Sequence, residues 1–283
     1  KTRKLEYLLG RAVSEGADTV ITYGALQSNH ARQTAAACAK LGLRCELVLT
    51  RLVDRTDPFY EQSGNRLLDR ILGARVHEVA DADGVIERTV ALHDEAAAEG
   101  RTIFTVVGGG SDATGALGYV NATLELATQA EDQGCDIGAI VVAASTCGTA
   151  AGVVVGASLA GMDAAVDVAC VLASEEETSP LLLGLVDGLD DLLDLPDGGM
   201  GWRITDATLG AGYGIPSPAT LDAVELLART EGVLLDPVYT GKAFEHLLAG
   251  VADGAYEPDR DVVFVHTGGS PGLFAYTPAF TGR

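Results

Sequence analysis

Short apolar runs alternate with longer segments of helical periodicity along nearly the whole chain. DTVITYGA, CELVLT, RVHEVA and TIFTVV read as strands, and they are interleaved with the helix-like stretches LEYLLGRAVSEG, HARQTAAACAKLGL, NRLLDRILGA and GVIERTVALHDEAAAEG. Strands that are apolar on both faces mark a parallel sheet, because the crossover joining two parallel strands is a helix packed on a sheet face. The pattern predicts an α/β fold. It restarts after Ala113 with GALGYVNATLELATQAEDQG, IGAIVVAAS, GTAAGVVVGASLAG and DVACVLAS, then an acidic helical stretch LLLGLVDGLDDLLDL, a helix in ATLDAVELLARTEG and a last strand in DVVFVHTGG. The expected architecture is two open, twisted, mostly parallel sheet lobes, a smaller one over 1–111 and a larger one over 112–283.

The composition permits this. At 283 residues and 47% hydrophobic, the chain can bury one large core or two modest ones. Its longest apolar stretch, IGAIVVAASTCGTAAGVVVGASLAG, is interrupted by polar residues and glycines, and no basic segment precedes an apolar one, so a soluble, cytoplasmic protein without a membrane partner is expected. Five cysteines, scattered and without metal-ligand spacing, read as free thiols of a reducing compartment. A net charge of -21 argues against nucleic acid, which requires a basic surface. Four lysines stand against fifteen arginines and forty acidic residues, a balance expected of a protein from a high-salt cytoplasm, with an ordinary acidic protein the alternative.

Ligands of open α/β sheets bind where strands end and helices begin. Three such junctions carry small or polar residues: GALQSNH, VVGGGSDATG and AASTCGTAAG. In the third, Ser145, Thr146, Cys147, Gly148 and Thr149 combine hydroxyls with exposed N–H groups at a helix start, as a phosphate cradle would, and ordinary capping is the competing reading. Neither a P-loop nor a dinucleotide-binding glycine motif is present. DPVYTGKAFEHLL and HTGGSPGLFAY read as a proline-led turn and a strand terminus, although a tyrosine at such a turn can move a proton for a bound ligand.

Taken together, KTRKLEYLL, GALQSNHARQTAAACAKLGL, VGGGSDATGALGYV, GYGIP, EGVLLDPVYTGKA and HTGGSPGLFAY resemble the pyridoxal-phosphate enzymes that comprise D-cysteine desulfhydrase and 1-aminocyclopropane-1-carboxylate deaminase. The resemblance runs through essentially the whole chain. It implies a fold-type-II architecture with pyridoxal 5'-phosphate in the cleft between the lobes, a small amino-acid substrate and a homodimer. It also implies that Lys1 carries the cofactor, with Lys4 the nearest rival. Lys40 reads as a helix C-terminal cation and Lys242 as the start of a helix. Relatives carry a further segment ahead of this motif, including a Gly-Asn immediately before the lysine, so a sequence that begins at the lysine is expected to be part of a longer chain.

By the same resemblance, Ser28 and Asn29 hold the substrate carboxylate, Asn29 also meets the cofactor's phenolic oxygen, and His30 begins the helix whose dipole favours that anion. Ser145 to Thr149 match the phosphate turn, and Cys147 within it also reads as a packing residue. Tyr213 and Tyr239 match two active-site tyrosines, one assisting the leaving group, while Tyr276 reads as structural. Thr267 falls by the pyridine nitrogen. The cyclopropane deaminases tend to have a glutamate after the second tyrosine and a leucine in the HxGG turn. Thr240 and Thr267 stand there instead, which points to β-elimination of D-cysteine, or a related D-amino acid, to pyruvate, sulfide and ammonia. The cyclopropane deaminase and a non-catalytic ligand-binding protein are the alternatives.

Overall fold

The computed structural model describes residues 1–196 and 201–282. They divide into two units, one of residues 1–110 with 271–283 and one of residues 111–270.

In the first unit, α1 (Thr2–Ser14) leads into β1 (Thr19–Ala25), α2 (Asn29–Leu41) and β2 (Arg44–Thr50). Two short helices, α3 (Pro58–Gln62) and α4 (Gly64–Ile71), precede β3 (Arg75–Val79), α5 (Ala82–Ala98) and β4 (Ile103–Val106). The strands form one parallel sheet in the order β3-β2-β1-β4. Val20, Ile21, Leu47 and Val48 on the central strands are wholly buried, as two-sided helix cover demands. Serine and aspartate set the helix starts: Ser28 accepts from Ala31 N–H ahead of α2, and Asp81 accepts from Gly84 N–H ahead of α5.

The second unit repeats the plan. α6 (Ala113–Gln133), β5 (Ile137–Ala144), α7 (Gly148–Leu159), β6 (Ala165–Cys170), α8 (Glu175–Leu193), β7 (Trp202–Thr205), α9 (Pro218–Glu231), α10 (Thr240–Ala252) and β8 (Asp261–Phe264) build a parallel sheet in the order β7-β6-β5-β8. α7 is made of small residues and is buried almost along its length. A Cβ on Gly152 would lie 2.4 Å from the Ala116 carbonyl oxygen, so only glycine lets α6 and α7 approach this closely.

The two sheets share a consequence of their strand order. In each, the chain winds outward over three strands and then returns to the other side of the first, which places a switch point between β1 and β4 and another between β5 and β8. Ligands of such sheets bind at the carboxyl ends of strands flanking a switch point.

Two elements differ from the sequence-based expectation. β7 has four residues at a sheet edge and no apolar run to announce it. Residues 271–282, which the sequence pattern places in the larger lobe, group with the first unit and carry α11 (Pro271–Ala275) and α12 (Thr277–Thr281). Tyr276 lies edge-on to Tyr60 at 6.1 Å, and Arg55 stacks over Tyr276 at 4.6 Å. Among the described residues no helix is long and apolar enough to cross a membrane.

Candidate active site

In the first unit the switch point falls beside the turn after β1. Ser28 Oγ accepts from Ala31 N–H at 3.1 Å, which caps α2 and leaves the hydroxyl proton for another acceptor. Asn29 follows at the first position of the helix, half-buried, its Oδ1 accepting from Asn65 Nδ2 at 2.8 Å. Helix N–H groups and dipole make this turn attractive to an anion.

His30 faces inward. Its Nε2 meets Thr22 Oγ1 at 2.8 Å, and that hydroxyl donates to the Val106 carbonyl at 2.8 Å, so the imidazole proton resides on Nε2. The ring is buried, which holds its pKa well below the ordinary histidine value, and the positive charges of Lys1 and Lys4 push in the same direction. A neutral His30 thus ties α2 to β1 and β4.

Lys1 sits against α2. Its backbone nitrogen donates to Gln33 Oε1 at 2.9 Å, its carbonyl accepts from Leu5 N–H at 3.0 Å, and its side-chain charge is felt by His30. The resemblance-based site residues Lys1, Ser28, Asn29 and His30 therefore cluster about one helix terminus. Lys4 is wholly buried and donates from Nζ to the Gly109 carbonyl at 3.1 Å, which commits it to the glycine turn after β4.

In the second unit the turn from Ser145 to Thr149 joins β5 to α7. Cys147 adopts a left-handed conformation, φ 59°, of the kind found in anion-binding backbone nests. Its side chain packs in the apolar core, so its backbone alone is presented at the turn. Ser111 reaches the same turn: its Oγ lies 2.6 Å from Thr146 Oγ1 and accepts from Gly148 N–H at 3.3 Å. β8 runs beside β5, so the turn carrying Thr267 leaves the sheet next to the turn carrying Ser145.

The two tyrosines meet directly. Tyr213 and Tyr239 place their hydroxyl oxygens 2.5 Å apart, with ring centroids 5.8 Å apart and planes at 70°. Tyr239 is set by buried Asp236, which accepts from the N–H groups of Val238, Tyr239 and Thr240 and from the Thr240 hydroxyl at 2.7–3.1 Å. Gly269 lies against that carboxylate, where a Cβ would come within 2.4 Å of Asp236 Oδ2. Tyr213 is set by Lys242, whose Nζ donates to the carbonyls of Leu209 at 2.6 Å and Gly212 at 2.7 Å. Burial lowers the Lys242 pKa to about 8, and Glu245 opposes the shift.

Ser111, Asn65, Asp236 and the anchoring use of Lys242 were not read from the sequence as parts of the site. Asp236 carried a usable signal, since aspartate ahead of a Pro-led turn accepts the turn's N–H groups. The other three act through tertiary contacts that local pattern does not encode.

The family model described as pyridoxal-phosphate dependent enzyme matches residues 1–268. D-cysteine desulfhydrase of Salmonella typhimurium is 41% identical over 281 residues, covering 98% of this chain and 84% of the relative, and the protein of the same name from Salmonella newport gives the same values. Among solved structures, an ACC deaminase homologue superposes with a TM-score of 0.89 at 36% identity, covering 98% of this chain and 82% of that one. A fungal L-serine ammonia-lyase from Rhizomucor miehei, at 19% identity and a TM-score of 0.68 over 99% of this chain and 87% of that one, shares the fold. With two parallel α/β sheets of the fold-type-II kind and a family match over nearly its whole length, the chain belongs to the pyridoxal-phosphate dependent enzymes.

Proposed function

We propose that the protein is a lyase that eliminates sulfide from D-cysteine, or the β-substituent from a related D-amino acid, to leave pyruvate and ammonia. The observation that carries the substrate choice is the Thr240 hydroxyl, which donates to Asp236 at 2.8 Å in a chain 41% identical to D-cysteine desulfhydrases. No carboxylic acid follows Tyr239, so the pair of tyrosines is the proton source beside that turn.

The chain's own groups fit pyridoxal phosphate. Cys147 provides no side-chain cap for α7, so the first-turn N–H groups beyond Gly148, with the hydroxyls of Ser145, Thr146 and Thr149, offer a donor set suited to a phosphate. Lys1 would hold the aldehyde carbon, Asn29 the phenolic oxygen, and Thr267 the ring nitrogen. When bound, the cofactor supplies the electron sink that acidifies the substrate Cα–H.

The remaining steps belong to side chains. Ser28 O–H, Asn29 N–H and the α2 dipole bind the substrate carboxylate. Lys1 Nζ, released as a neutral amine, takes the Cα proton. The Cβ–S bond breaks with its electron pair on sulfur, and the Tyr213–Tyr239 pair delivers the proton that lets it depart as hydrogen sulfide. Water then releases ammonia from the remaining three-carbon unit. His30, neutral and tied to Thr22, holds the helix terminus from behind. The reading carries with it a homodimer in a reducing, salt-rich cytoplasm.

The test is incubation of the cofactor-loaded protein with D-cysteine, reading sulfide and pyruvate together. Equal release of both supports the reading; ammonia from the cyclopropane amino acid with no sulfide from D-cysteine favours the deaminase and overturns it.

A further inference from the structure

Asn65 opens α4 from a wholly buried position. Both hydrogens of its amide are spent, one on the Gln27 carbonyl at 2.9 Å and one on Asn29 Oδ1 at 2.8 Å, and its Oδ1 accepts from Arg32 Nε at 3.2 Å. Its backbone N–H donates to Gln27 Oε1 at 2.9 Å, and Gln27 Nε2 donates in turn to the carbonyls of Tyr60 at 2.6 Å and Ser63 at 3.0 Å. Gly64 makes room for this junction, since a Cβ there would stand 2.7 Å from Gln27 Oε1.

The polarity of this chain of bonds is fixed at its ends. Backbone carbonyls only accept, backbone N–H groups and a guanidinium only donate, and the Gln27 and Asn65 amides each contact at least one such group. Rotating the Asn65 amide by half a turn would set its Oδ1 against the Gln27 carbonyl and its N–H₂ against the Arg32 guanidinium, so the orientation observed is the only satisfied one. Asn29 Oδ1 must then accept, and Nδ2 is the end left to a ligand. Among the described residues Asn29 Nδ2 has no partner.

We propose that Asn65 is a positioning residue that sets the polarity of Asn29, so that the site offers a hydrogen-bond donor to the cofactor's phenolic oxygen or the substrate carboxylate. This rests on the reading of Asn29 given above. A site built the other way round, with Oδ1 outward, would repel either oxygen.

The experiment titrates pyridoxal phosphate into the apoprotein of the wild type, Asn29→Ala, Asn65→Ala, Asn65→Asp and the Asn29→Ala/Asn65→Ala double variant, reading the dissociation constant and the position of the visible band. Asn65→Asp keeps the shape of the side chain and its bond from Arg32, and thermal melting of each apoprotein reports folding separately. Loss of one donor is expected to weaken binding about tenfold in Asn29→Ala and similarly in each Asn65 variant, with a shifted band, and the double variant is expected to bind no more weakly than Asn29→Ala. Wild-type binding by Asn29→Ala would remove the assignment of Asn29 and this inference with it. Wild-type binding by the Asn65 variants beside a weakened Asn29→Ala, or losses that multiply in the double variant, would overturn the inference alone.

Discussion

The hydroxyl oxygens of Tyr213 and Tyr239 are in hydrogen-bond contact at 2.5 Å, so one hydroxyl donates to the other and the two phenols are coupled. The contact joins two segments far apart in sequence, one held by Lys242 and the other by Asp236. If the pair delivers the leaving-group proton as a unit, Tyr213→Phe and Tyr239→Phe each lower kcat by about 10²–10⁴-fold with a smaller change in KM. Steady-state kinetics on D-cysteine check this, and the double variant is expected to be no slower than the worse single one.

Lys242 should reveal itself through pH. Its pKa is lowered from 10.5 to about 8 in the folded protein, so between those values the unfolded chain keeps a proton that the folded one has released. Stability contributed at this site therefore rises with pH through that window, and the full cost of burying the ammonium is present below it. Lys242→Met strands two carbonyls and loosens the Tyr213 loop, and should lower kcat about tenfold while removing this rise. Urea denaturation of both proteins from about pH 8 to about pH 10 is the measurement, with the advantage of the wild type expected to widen.

Asp69 titrates with the opposite sign. It is wholly buried on α4 with neither carboxylate oxygen hydrogen-bonded, and burial raises its pKa from 3.8 to about 7 against the pull of Arg32 and Arg66. Between those values the folded protein holds a proton the unfolded chain has lost, so stability from this group falls as pH rises towards 7. Asp69→Asn should be the more stable protein by about 1–2 kcal/mol at about pH 8, with the difference shrinking as pH falls. Equal melting of the two proteins across the range would contradict this.

α4 also shows where local sequence misleads. In NRLLDRI the leucines and isoleucine invite an inward apolar face, yet Asn65, Arg66 and Asp69 are buried while Leu67 and Ile71 are exposed. The helix is turned by the polar network around Gln27 and Asn29, which no periodicity can announce. The main strands were legible for the opposite reason, since β1, β2, β5 and β6 are largely buried and read as near-continuous apolar runs, with Glu46 and Asp167 the charged interruptions. Ser28 stood out because a cap must follow a strand end directly. Lys1 and the tyrosines were singled out only through a multi-segment resemblance, because each alone is an ordinary residue in its local sequence.

The central claim is that Lys1, and not Lys4, Lys40 or Lys242, bears the cofactor. Lys4 and Lys242 are buried and bonded to backbone carbonyls, and Lys40 lies in the last turn of α2. Borohydride reduction of the pyridoxal-phosphate-loaded protein, followed by peptide mass mapping, reads the answer directly. The account predicts a single reduced adduct on the Lys1 side chain, lost when D-cysteine is added before reduction; an adduct on Lys4, Lys40 or Lys242, or none at all, would contradict it.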